Sequence, residues 1–258
     1  MQTQNHVKTI RVAITAIFSS LYTILSFLGV FPVVGLEGFI SAGAIIGPVF
    51  GLILGANLGS LTIAIGGLIN SFLGIQGPFG PLSFLPHASS AFFAGLLKER
   101  KKWFAISSYI LFFIIFAFYP DFGPIWLYPP FIWLHLIALA ILILPLQGRE
   151  SDFGDKMKVN FNPNVASSKV FYTILLIVFV SLMFGHIIGN IMFETVFLLV
   201  KIPEFGMDNA VNSMRASWQM LTFQYAIERV IMLIIAMPIS LSFLAAFNYL
   251  HINLSDQN

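Results

Sequence analysis

Gly43-Ala-Ile-Ile-Gly47-Pro-Val-Phe-Gly51-Leu-Ile-Leu-Gly55-Ala-Asn-Leu-Gly59 places five glycines four residues apart inside an apolar run. In water this makes a poor helix, because each interior glycine costs about 1 kcal/mol relative to alanine. In a bilayer the backbone must satisfy its own polar groups, so the segment is helical whatever its propensity. Glycine at every fourth position then opens a groove into which another helix can press. Each four-residue step drifts about 40° around a helix with 3.6 residues per turn, so the ladder is not one straight stripe. The apolar run from residue 39 to residue 74 would be about 54 Å long as a single helix, against about 30 Å of hydrocarbon. We therefore read two short helices, Phe39–Ala56 and Leu58–Leu73, broken near Asn57. Gly43, Gly47 and Gly51 form the close-approach face, and Gly55 and Gly59 permit the turn. The neighbour across that face is either another helix of this chain or a separate subunit.

The rest of the chain fits the same solvent. Of its 258 residues 58% are hydrophobic and 9% charged, and the mean hydropathy is +0.89; a soluble domain carries about 25% charged residues. The long apolar runs lack the period-2 alternation of a membrane β-barrel. The reading is an all-α, polytopic transmembrane helical bundle, a single integral membrane domain over 1–258 with about eight spans (six to eight). Lys8 and Arg11 precede an apolar stretch without a small-x-small cleavage site, which we read as a retained helix. Further spans are expected near 9–30, 82–97, 103–118, 131–146, 170–193 and 218–247, with a cytoplasmic loop at 147–169 and a C-terminal helical hairpin at 170–258. Two crossings at 39–74 put Lys8, Arg11, the 98–102 cluster, Arg149, Lys156, Lys158 and Lys169 on one side. By the positive-inside rule that side is cytoplasmic, as are both termini. The net charge of +2 reflects this loop asymmetry and does not indicate nucleic acid. The absence of cysteine excludes disulfides and thiolate metal sites.

Two polar stripes stand out in the C-terminal half. His186-x3-Asn190-x3-Glu194 shares roughly one helix face, starting about 24 Å from the cytoplasmic end near Val170. The following helix carries Gln219, Thr222, Gln224, Tyr225, Glu228 and Arg229, with Glu228 about 15 Å below its outer start. Both stripes fall in the outer half of the membrane. Ionisable groups there are costly and face an interior or a water-filled cavity. Two readings stand: a structural ion pair of Arg229 with Glu228 or Glu194, or a polar pocket open to the outside. Asn70, Gln76, His87, Trp126, Tyr128, Trp133 and His135 fall at the same level. The aromatics serve either as an interfacial belt or as stacking walls for a flat ligand. The histidines show no metal-ligand spacing. The candidate solute-binding set is Asn70, His87, Trp133, His135, His186, Asn190, Glu194, Gln224, Glu228 and Arg229. There is no G-x-x-x-x-G-K-[ST], no H-E-x-x-H and no G-x-S-x-G, so we expect no enzyme activity, catalytic residue, cofactor or metal on this chain.

The order Val12-Ala-Ile-Thr-Ala-Ile-Phe-Ser-Ser-Leu-Tyr22, then the glycine ladder with Pro48, then Pro86-His87-x6-Ala94-Gly95-Leu96-Leu97 before a basic turn resembles a known family. It is similar, over about residues 8–100, to the substrate-binding S component of energy-coupling factor (ECF) vitamin transporters. That resemblance implies a membrane subunit that captures a vitamin-like compound from outside and docks on a transmembrane coupling subunit and two cytoplasmic ATPases. The family's Ala-x-x-x-Ala docking motif corresponds to Ala16-x3-Ser20, with Ala13 nearby; here the second alanine is serine. Ala13, Ala16, Ser20, Gly43, Gly47 and Gly51 are the candidate partner-helix contacts. The family typically has six helices, fewer than the spans counted here. The expected function is solute capture in a multi-pass plasma-membrane protein, in a pocket between the fourth, sixth, seventh and eighth helices. Its partners would be a small-molecule solute, membrane lipid, the coupling subunit and the ATPases. The alternatives are a proton-coupled secondary transporter using Glu228 or Glu194, and a membrane scaffold without ligand.

Overall fold

The computed structural model describes residues 2–75, 77–119, 131–143 and 168–249. Gln76, Trp126, Tyr128 and residues 147–167 of the expected loop lie outside the described residues, and residues 168 and 169, expected in that loop, are helical. Eight helices and one small hairpin make up the described chain. They are α1 (Gln2–Ser26), β1 (Gly29–Pro32), β2 (Phe39–Ser41), α2 (Gly43–Leu54), α3 (Ala56–Phe72), α4 (Leu85–Lys98), α5 (Lys102–Ala117), α6 (Trp133–Ile143), α7 (Ser168–Phe205) and α8 (Met207–Tyr249). Three segments are long and apolar enough to cross a membrane: Thr9–Ser26 of α1, Val170–Phe205 of α7 and Met207–Phe247 of α8. Helices α2, α3, α5 and α6 are shorter apolar helices. Met220, Phe223, Ile227 and Ile234 are each more than 60% exposed along α8, an apolar face suited to lipid rather than water.

Helix α4 sits at the centre and packs on α2, α3 and α7. The glycines make this possible. A Cβ at Gly51 would collide with the Ala91 carbonyl of α4, and one at Gly47 would lie 2.9 Å from the His87 carbonyl oxygen. On the other side of α4, a Cβ at Gly185 of α7 would lie 2.7 Å from the Pro86 carbonyl oxygen. Gly43 faces Tyr22 and Ser26 of α1. All three ladder glycines of α2 are buried, so the partner helices across them are α1 and α4 of this chain. Ala13, Ala16 and Ser20 differ: they lie exposed on α1.

The ladder breaks at Gly55, two residues before Asn57; of the two glycines expected to permit the turn Gly55 makes it, while Gly59 lies inside α3. Gly55 has φ +84° and ψ 177°, a backbone conformation open to glycine and strained for other residues. Two charges at the end of α4 bracket the break. Lys98 Nζ donates to the Ile53 carbonyl at 2.8 Å, and the Ala56 N–H donates to Glu99 Oε1 at 2.7 Å. A cation thus meets the C-terminal end of α2 and an anion the N-terminal end of α3, each matching the helix dipole.

Other boundaries depart from the sequence reading for identifiable reasons. Residues 29–32 and 39–41 form an antiparallel hairpin, with Gly29 opposite Ser41, Phe31 opposite Ile40 and Pro32 opposite Phe39. The apolar run there therefore belongs to strands, and α1 stops at Ser26 while α2 starts only at Gly43. Pairing uses backbone groups that a longer helix would have used itself. Residues 201–215, between the spans expected near 170–193 and 218–247, are helical apart from Gly206, whose φ is +79°. Ala210, Met214 and Trp218 are buried four residues apart, a helical period hidden among polar neighbours. Helices α7 and α8 have 38 and 43 residues, or about 57 and 64 Å, and extend well past about 30 Å of hydrocarbon.

Candidate functional site

A cavity of about 350 Å³ opens at the end of α4 remote from Lys98. Its walls are built mostly by short elements. The end of α1 supplies Tyr22 and Ser26, the end of α3 supplies Asn70, and the start of α4 supplies His87 and Ser90. Helix α7 supplies His186, Asn190 and Phe193, and α8 supplies Trp218, Tyr225, Glu228 and Arg229. The β1–β2 hairpin and the 77–84 segment complete the rim. Pro78 and Pro81 keep that segment out of a helix, and Ser83 Oγ accepts the Phe79 N–H at 2.9 Å to hold its turn.

Six of the ten candidate residues line this cavity: Asn70, His87, His186, Asn190, Glu228 and Arg229. Gln224 stands one turn away and supports the site, its Nε2 donating to Glu228 Oε1 at 3.0 Å. Trp133, His135 and Glu194 do not line it. The Trp133 indole N–H donates to the Thr222 carbonyl at 3.3 Å, fastening α6 to α8. His135 is wholly buried behind the wall, its ring stacked on His186 with centroids 5.1 Å apart and planes 14° from parallel. Glu194 is wholly buried, and neither carboxylate oxygen has a hydrogen-bond partner among the described residues; it does not pair with Arg229. Helix α6 is accordingly not a wall. It contributes only Phe131, in the turn before it, while α1 and α3 take the place expected of it.

The polar chemistry converges near Arg229. Tyr22 Oη and His87 Nδ1 share a hydrogen bond of 2.8 Å between α1 and α4. Tyr225 Oη donates to the Phe131 carbonyl, and its ring packs 4.8 Å from both His186 and Phe131. His87, His186 and Tyr225 line the cavity together with Arg229, and His135 stacks on His186 behind it. Among the described residues Arg229 has one carboxylate nearby, Glu228 Oε2, 3.9 Å from Nη2. Several buried polar atoms on the wall lack hydrogen-bond partners among the described residues: Asn70 Oδ1, Ser90 Oγ, His186 Nδ1, Asn190 Nδ2 and Arg229 Nε. Buried polar groups ordinarily have partners. No cluster of three or more His, Asp or Glu suited to a metal occurs among the described residues.

The sequence alone did not point to Tyr22, Ser90 or the hairpin. Tyr22 sits in a helix whose only other polar residues nearby are serines and threonines, and its reach to His87 spans 65 positions of chain. Gly43 and Gly66 both leave room for the Tyr22 ring, but neither identifies Tyr22 from sequence. Comparison with protein-family models, curated proteins and solved structures finds no match.

Proposed function

We propose that this chain is the solute-binding subunit of an uptake transporter, capturing a small vitamin-like compound from the extracytoplasmic side and passing it inward with a partner ATPase. The observation that carries this reading is the cavity of about 350 Å³, lined by aromatic and apolar side chains with Asn70, His87, His186, Asn190, Glu228 and Arg229 among them. Ligand pockets combine such an apolar lining with a few placed polar groups. Position supports it as well. The cavity lies at the end of α4 away from Lys98–Lys102, the cluster that the positive-inside rule assigns to the cytoplasm. In this reading the eight helices each cross the plasma membrane, and both termini are cytoplasmic. The exposed Ala13, Ala16 and Ser20 of α1 would then meet the coupling subunit, and the ATPases would bind beneath it. The ECF resemblance of residues 8–100 accords with this division of labour.

The test is purification of the full chain from its native membrane in mild detergent, with identification of both co-purifying subunits and bound small molecules. A transmembrane partner with ATPases, together with a bound solute, is expected. Finding neither would overturn the proposal. The fully buried Glu194 favours one second reading, proton-coupled transport by the chain alone. Uptake by vesicles holding only this protein, driven by a proton gradient, would replace the first reading with that one.

A further inference from the structure

We infer that the captured solute is a monocarboxylate on a flat, largely apolar body, with its acid group paired to the guanidinium of Arg229. This rests on the solute-binding reading and specifies its ligand. Arg229 lines the cavity and is only 6% exposed. A guanidinium presents five N–H donors in a planar fork. Among the described residues those donors meet the Met232 thioether, 3.1 Å from Nη1, and Glu228 Oε2, 3.9 Å from Nη2. The first is a weak acceptor, and the second lies beyond hydrogen-bond length. The Nε–H has no partner among the described residues. Glu228 is drawn elsewhere: its Oε1 accepts from Gln224, and consecutive side chains diverge by about 100° around a helix. The buried cation therefore keeps much of its fork open, and a carboxylate fills such a fork with two parallel hydrogen bonds.

The neighbours narrow the class. The Glu228 charge beside the guanidinium opposes a second negative charge on the ligand, which disfavours phosphate esters and dicarboxylates. One helical turn before Arg229, Tyr225 forms an aromatic wall with His186 and Phe131, against which a flat ring would stack. Asn70 and Asn190 also line the cavity, and each side-chain amide carries both a donor and an acceptor for polar atoms on the body.

The experiment uses the full chain in lipid nanodiscs, exposed to the small-molecule fraction of yeast extract and washed; retained solutes are identified by mass spectrometry. Wild type is expected to retain a monocarboxylic acid. Arg229→Gln should lower its retention roughly 10- to 100-fold, the effect of losing a charge-assisted pair. Arg229→Lys, which keeps the charge without the fork, should fall between the two. The carboxamide of the retained acid, used as competitor against wild type, should be at least about tenfold weaker than the acid; this readout does not depend on any variant folding. A retained solute without a carboxylate, a carboxamide that competes equally, or full retention by folded Arg229→Gln would overturn the inference and leave solute capture standing. No retained solute on wild type would overturn both.

Discussion

Gly51 and Gly189 are both helical glycines beside α4, yet they stand in different relations to it. A methyl group on Gly51 would run into the Ala91 backbone carbonyl, which cannot swing aside. One on Gly189 would rest 3.7 Å from the Pro86 ring, an ordinary contact. Gly51→Ala should therefore destabilise the fold by about 1–3 kcal/mol, the range for overpacking. Gly189→Ala should be neutral or gain up to about 1 kcal/mol from helix propensity. Thermal unfolding of the two variants in the same detergent checks the difference; equal melting temperatures would contradict the packing described. At this scale the four-residue spacing was legible, because glycine has no other use at that period in an apolar run. Which glycines touch backbone was not, since the drift around the helix and the break at Gly55 send Gly43 to α1, Gly47 and Gly51 to α4, and Gly59 back to α2. The same holds for the polar set. Intramembrane Arg229, Glu228, His186 and Asn190 stand out by type, whereas Trp133 and Glu194 are equally conspicuous in sequence and lie off the cavity.

The junction between α2 and α3 depends on residues more than 40 positions away. Glu99 Oε1 accepts the Ala56 N–H, and Lys98 reaches the Ile53 carbonyl. Glu99→Gln keeps the shape but removes the negative charge at the start of α3. It should cost roughly 0.5–1 kcal/mol through the helix dipole, with most of the loss visible only at low salt. Unfolding measured against ionic strength checks this, and an unchanged variant would mean that Lys101, 2.8 Å from Glu99, already neutralises the carboxylate. The helix content of the chain could be read from its apolar runs. The ends of those runs could not. The hairpin at 29–41 takes apolar residues from two expected helices, and the polar 201–215 segment continues as helix because Ala210, Met214 and Trp218 find burial.

Across the whole molecule, orientation is the property that the Lys and Arg distribution reports and that packing alone leaves free. The chain has no cysteine, so single substitutions can report each side. Glu37→Cys, in the exposed turn of the hairpin, should react with a membrane-impermeant maleimide on intact cells, and Lys101→Cys only after permeabilisation. The opposite pattern would invert the positive-inside assignment and place the cavity on the cytoplasmic side. What the sequence determined by itself was the solvent and the secondary structure class, because 58% hydrophobic residues in long runs leave helices as the available way to satisfy the backbone in lipid. It also supplied the inventory of buried polar groups, since such groups are rare in apolar helices and easy to see. The tertiary structure alone decided which of them share a cavity. Tyr22, Asn70, His87, His186 and Arg229 come from α1, α3, α4, α7 and α8. Their meeting depends on how closely α4 nests between glycine faces and on where Gly55 turns the chain, long-range geometry that no local pattern of residues encodes.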